Sequence, residues 1–248
     1  MPFTLTTIFI ITIMNKLLLC FLMSLPLVFF SACGDDDESD GGSNASVVVN
    51  EDGTTSYGSI FSAVDANNFY LDYIKYTVEE GHLFVSGYDR VGFKGKAKIA
   101  SRISYKGNTY EVLALGAAFK DCTTLTSITL PGSMTSIGDD AFYGCTNLTS
   151  ITLPNGVASI GYNSFKGCTG LTSITLPNSL TFIGYSAFCG CVGLLDLYCY
   201  ADSVPEARLS PFKNTPIENV TLHVPAGSID AYQKKKPWSD FKAIVAVE

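Results

Sequence analysis

The side chains with the most chemical reach in this 248-residue chain are eight cysteines, two histidines and a scatter of carboxylates. Cys122, Cys145, Cys168 and Cys191 recur every 23 residues, which puts them at one structural position in successive copies of a unit. A column of buried thiols that fill space and bond weakly to the backbone is favoured over disulfides. Cys199 stands where Leu130, Leu153 and Leu176 stand in earlier copies and reads as core. Cys189 differs, because its equivalents Tyr143 and Lys166 read as exposed, making it the thiol most open to reaction. Cys189 and Cys191 lie one residue apart, and neither His82 nor His223 joins them in a ligand cluster, so no metal or cofactor is implied.

Nucleophilic catalysis finds little support. The two histidines fall outside the repeats, and no Gly-x-Ser-x-Gly elbow occurs. Asp139 and Asp140 are adjacent on a turn, where acids are usually solvated, whereas glycoside hydrolysis needs two carboxylates held apart across a cleft. Lys234, Lys235 and Lys236 read as a solvated helix end. A formal charge of -7 disfavours nucleic acid or an anionic membrane surface as electrostatic partners.

The elements that position these residues follow from the repeat. Phe119, Phe142, Phe165 and Phe188 share the 23-residue spacing, as do Leu125, Leu148, Leu171 and Leu194, then Ile128, Ile151, Ile174 and Leu197. Pro131, Pro154 and Pro177 follow, and Ile137, Ile160 and Ile183 each precede a glycine. Each Leu-x-x-Ile-x-Leu core alternates like a short strand that cannot bury its apolar face alone. Stacked copies would form a parallel sheet over one continuous core, with proline ending each strand and glycine permitting the bend.

This unit closely resembles the BspA-like leucine-rich-repeat family of bacterial surface lipoproteins, and the likeness covers roughly residues 75 to 248. It implies a mainly β solenoid of parallel strands in 23-residue coils, capped at both ends. The repeats span 111–200, an N-terminal segment and cap 47–110, and a C-terminal cap 201–248. Within the caps, Leu83 to Gly87 and Ala97 to Ile103 alternate like strands, and Tyr105 to Tyr110 reads as a hairpin turn. Thr221 to Val224 repeats the strand pattern, and Ser228 is placed to cap a helix over Ile229 to Lys235 that Pro237 would end.

Residues 1–32 have the layout of a signal peptide: Leu17 to Phe30 is apolar, with Lys16 before it and small residues after it. Met14 is an alternative start, since it would leave Lys16 in the charged leading region. Phe30-Ser31-Ala32-Cys33 resembles a lipobox, which makes Cys33 the lipid-attachment residue; a plain transmembrane anchor is the other reading. The acidic stretch within 33–46 reads as a tether, either a simple linker or an export signal like that of surface-exposed lipoproteins of the Bacteroidota. The expected location is the outer membrane, lipid-anchored at the cell surface.

Alternation also assigns an outward face. One row runs Lys98, Thr129, Thr152, Thr175, Tyr198, His223, and its neighbour runs Lys96, Ser127, Ser150, Ser173, Asp196, Thr221. The hydroxyl centre suits exposed strands and needs no further explanation. The ends depart from it, so candidate ligand-binding residues are Asp196, Tyr198, Tyr200 and His223 at one end and Lys96 and Lys98 at the other. The function expected is a non-enzymatic binding module adhering to a host protein, other cells or a glycan, a role the family resemblance suggests. The alternatives are a surface polysaccharide-acting enzyme, against which the lack of insertions in the repeats counts, or a passive subunit of an outer-membrane assembly.

Overall fold

The computed structural model describes residues 46–48, 61–64 and 67–247; the leader, Cys33 and most of the tether lie outside them. Ahead of the repeats come β1 (Ser46–Val48), β2 (Phe61–Ala63), β3 (Asn68–Leu71), β4 (Ile74–Glu79) and β5 (His82–Tyr88). From β2 to β5 each strand pairs antiparallel with the next. The single strand expected over Ala97 to Ile103 is instead two, β6 (Lys96–Lys98) and β7 (Arg102–Tyr105). Ile99 and Ala100 are both buried, and consecutive inward side chains break the period of two that a strand requires. β7 and β8 (Asn108–Leu115) form the expected hairpin. Its turn residues Lys106 and Gly107 have φ of 49° and 76°, as a tight hairpin demands.

The repeats then alternate between two sheets. On one face lie β9 (Ser127–Thr129), β11 (Ser150–Thr152), β13 (Ser173–Leu176), β15 (Asp196–Cys199), β17 (Thr221–Val224) and β18 (Ala243–Ala246). On the other lie β10 (Ser136–Ile137), β12 (Ser159–Ile160), β14 (Phe182–Ile183) and β16 (Glu206–Ala207). This second parallel sheet was not expected from the sequence, where the Ile-Gly segments read as turns. It continues from β8 through β10, β12 and β14 to β16, so the cap hairpins and the coils share one hydrogen-bonded sheet. On the first face β6 pairs with β9, and a separate ladder runs from β11 to β18; β9 and β11 are not bridged.

The interior is built of columns. Phe119, Phe142, Phe165, Phe188 and Phe212 stack in sequence with ring centroids 5.7, 5.1, 5.3 and 5.4 Å apart. Tyr88 extends the stack at the front, while Trp238 and Phe241 close it edge-on at the back. The expected thiol column lies beside it, all three later members donating to a carbonyl one coil earlier: Cys145 to Phe119, Cys168 to Phe142 and Cys191 to Phe165, at 3.0–3.1 Å. Burial pushes the Cys191 thiol up to about 12 and those of Cys145 and Cys168 higher still. Cys199 is core as expected, its Sγ 3.2 Å from the Tyr232 hydroxyl.

Glycine after isoleucine serves a different need from the one expected. Gly161 has no left-handed φ; a Cβ there would lie 2.6 Å from Asp139 N and 2.7 Å from Gly138 C, so the residue is small because adjacent coils touch. Left-handed turns fall elsewhere, at Asp140 and Asn163, types that tolerate them, and at Ser186 in the next coil. A fifth coil, hidden by insertions, carries Phe212 in the ring column and Thr215 in place of the cysteine, its Oγ1 bonding Phe188 O and Cys191 N. The helix α1 is shorter than expected, Ile229–Gln233. Ser228 precedes it but makes no side-chain cap, its Oγ donating instead to Asp202 O at 2.7 Å.

Candidate ligand-binding face

The outward rows lie in the expected register. Ser173 pairs with Asp196 and Asp196 with Thr221, while Thr175 pairs with Tyr198 and Tyr198 with His223. Because paired residues on adjacent strands point the same way, β15 and β17 bring Asp196, Tyr198 and His223 together. The His223 and Tyr198 rings stack at 4.2 Å and 15°, and His223 Nε2–H donates to Asp196 Oδ1 at 2.9 Å. The pair is only part-buried, so it orders these side chains more than it stabilises the fold. Tyr200, just beyond the strand end, is 42% exposed.

Lys96 and Lys98 are exposed on β6, opposite Ser127 and Thr129. β9, β11 and β13 stand between them and β15, so they do not join the tyrosine cluster. The face thus has a basic end and an aromatic, acidic end joined by hydroxyls.

Two residues belong to the aromatic end that the sequence reading left out. Val192 and Leu195 are each 58% exposed, at positions where earlier coils carry Thr123, Thr146 and Thr169 or Thr126, Thr149 and Thr172. The signal was present in that loss of threonine. Leu195, Asp196, Tyr198 and Tyr200 therefore follow one another along the outside of a single coil.

Other candidates resolve structurally. Cys189 is buried, not open, with 8% exposure: a thiol is shorter than Tyr143 or Lys166 and does not reach past the coil surface. Asp140 pairs with Lys120 at 2.9 Å, and Asp139 Oδ1 accepts the Tyr162 N–H at 2.6 Å, so both acids serve turns of neighbouring coils. Lys235 Nζ donates to Val204 O, and Lys236 pairs with Asp240.

Residues 116–233 match the family described as BspA type leucine rich repeat region, in six copies. The repeat region belongs to the BspA type leucine-rich-repeat family. The match extends past residue 200 and takes in the fifth coil. Among solved structures, the BspA type repeats here are similar to the leucine-rich-repeat protein of T. pallidum, at 24% identity over 75% of this chain and 85% of that one, with a TM-score of 0.54; this supports the solenoid fold. A leucine rich cell surface protein from Faecalibacterium prausnitzii shares 21% identity over 74% of this chain and 52% of its own, with a TM-score of 0.47. The pneumococcal vaccine antigen PcpA shares 21% identity over 65% and 51%, with a TM-score of 0.46. No curated protein matches the chain.

Proposed function

We propose that this chain is a lipid-anchored bacterial surface protein whose strand face binds an extracellular protein or glycan. The observation that carries the reading is the coordinated change on the fourth coil. There Leu195, Asp196, Tyr198 and Tyr200 replace threonine, serine, threonine and proline, and His223 orders two of them. Tyrosine offers a broad ring and a polar tip at low entropic cost, which suits it to anchor a partner, while single serines and threonines contribute little. Lys96 and Lys98 form a second pole suited to an acidic part of the same ligand. The family supports a protein-binding or adhesion role in general terms, and Cys33 with its acidic tether supplies the anchor in this reading.

The test is a screen of the chain from Ser43 onward against immobilised matrix proteins and a glycan array. Saturable binding to a member of either panel supports the module, and silence across both rejects it. Anchorage is tested separately: Cys33→Ala should lose protease accessibility on intact cells. Recovery of residues 17–33 intact in the mature protein by mass spectrometry rules the anchor out.

A further inference from the structure

The first sheet is open between β9 and β11. At other junctions on this face, the amide before the strand bonds back to the previous coil: Thr126 N–H to Gly95 O at 2.7 Å, Thr172 to Thr149 at 2.8 Å, and Leu195 to Thr172 at 2.9 Å. At the strand exit, Leu153 N–H reaches Thr175 O at 3.0 Å. Among the described residues, the equivalent bonds from Thr149 N–H and Leu130 N–H are missing, and so is the ladder that would join Ile128 to Ser150 and Thr152. Ile128 and Leu130 are accordingly half-buried, whereas Ile151, Leu153, Ile174 and Leu176 are buried. The opposite sheet stays closed across the same coils, Ile137 pairing with Ile160.

The opening lies in a shallow surface groove of about 540 Å³. Ser127, Thr129, Ser150 and Thr152 bring hydroxyls to it, and no charged residue lines it. Gly132, also in the lining, stands where later coils carry Asn155 and Asn178, and a Cβ there would meet nothing within 4 Å. The coil bordering the opening thus lacks the side chain that would cover it. A peptide strand does not fit between the walls: Cα atoms of β9 and β11 come within 8 Å, whereas an inserted strand would hold its neighbours about 9.6 Å apart.

Both walls present peptide N–H and C=O groups without ladder partners, and such groups require another partner. An ion would satisfy one kind of group and oppose the other. A hydroxyl both donates and accepts, so it can bridge the two walls. We propose that this opening is a binding site for a neutral saccharide, whose hydroxyls bond the peptide groups of Ile128, Ser150 and Thr152 left out of a ladder while its C–H face rests on Ile128 and Pro154. It lies on the same strand face two coils from Tyr198, at the hydroxyl centre and apart from the aromatic end.

The test is hydrogen exchange by mass spectrometry on the full chain in detergent, alone and with cellohexaose, maltohexaose or chitohexaose. Without sugar, segments 126–132 and 149–153 should exchange at least tenfold faster than 172–176. One of the sugars should slow them about tenfold at ten times its dissociation constant. Gly132→Asn should abolish the slowing at unchanged melting temperature, and Tyr198→Ala should leave it intact. Slow exchange in the free protein would show the rungs closed and overturn the proposal. So would fast exchange that no sugar slows, which leaves water alone in the opening, or slowing that persists in Gly132→Asn.

Discussion

Phe165 lies at the middle of the ring column, fully buried, 5.1 Å from Phe142 and 5.3 Å from Phe188. In a solenoid each coil is held by its two neighbours, so loss of a central ring weakens two interfaces at once. Phe165→Ala should cost about 3–5 kcal/mol in cavity and transfer terms. Phe165→Leu keeps much of the apolar volume and mainly removes the two ring contacts, each worth about 0.5–1.5 kcal/mol, for a loss of about 1–3 kcal/mol. Urea denaturation followed by circular dichroism measures both, provided the slope m stays constant. For a two-state protein of this size, Phe165→Ala should also lower the melting temperature by roughly 6–20 °C. A Phe165→Leu variant within about 0.5 kcal/mol of the parent would show that the column is filler rather than a stacked support, refuting the reasoning.

Three further outcomes follow from the same interior. Ile151→Asp, which buries an unpaired charge, should lose at least about 4 kcal/mol, while Thr152→Asp, facing water, should stay within about 1 kcal/mol; equal losses by thermal melting would invert the assigned faces. Gly161→Ala should lose about 1–3 kcal/mol because its Cβ meets backbone of the preceding coil, whereas Gly132→Ala, with open space, should not; urea midpoints that coincide would contradict the touching coils. The raised thiols of Cys145, Cys168 and Cys191 stay protonated in the fold while the unfolded chain ionises near pH 8.5, so their support is complete below that pH and falls above it. Each should lose about 1.4 kcal/mol per pH unit, and urea midpoints measured from pH 8 to 10 that do not move would contradict their burial.

The repeat period exposed most of the architecture, because Phe, Cys, Leu and Ile positions keep a 23-residue stride through four coils and inward positions alternate strictly. The second sheet was hidden since its strands are two residues long, too short for alternation to register. The fifth coil escaped because insertions break the stride and Thr215 substitutes for cysteine. Cys189 misled by analogy with longer side chains at its position. At the candidate face, the rows and the neighbours Tyr198 and His223 could be read directly from register. The Asp196–His223 hydrogen bond depends on side-chain packing that no periodicity encodes, whereas Val192 and Leu195 were signalled by the loss of threonine at their repeat positions. The unbridged junction at β9 and β11 has no counterpart in the strand residues, since Ser127-Ile128-Thr129 and Ser150-Ile151-Thr152 are identical.

The most direct test of strand-face recognition compares Tyr198→Ala with Thr152→Ala for binding to a protein ligand recovered from the matrix-protein panel, at matched folding stability. As an anchor worth about 2 kcal/mol, Tyr198 should raise the dissociation constant roughly thirtyfold when truncated. Thr152→Ala, at the hydroxyl centre, should change it less than about twofold. Equal weakening by the two variants, or none by either, would contradict a binding centre on the fourth coil.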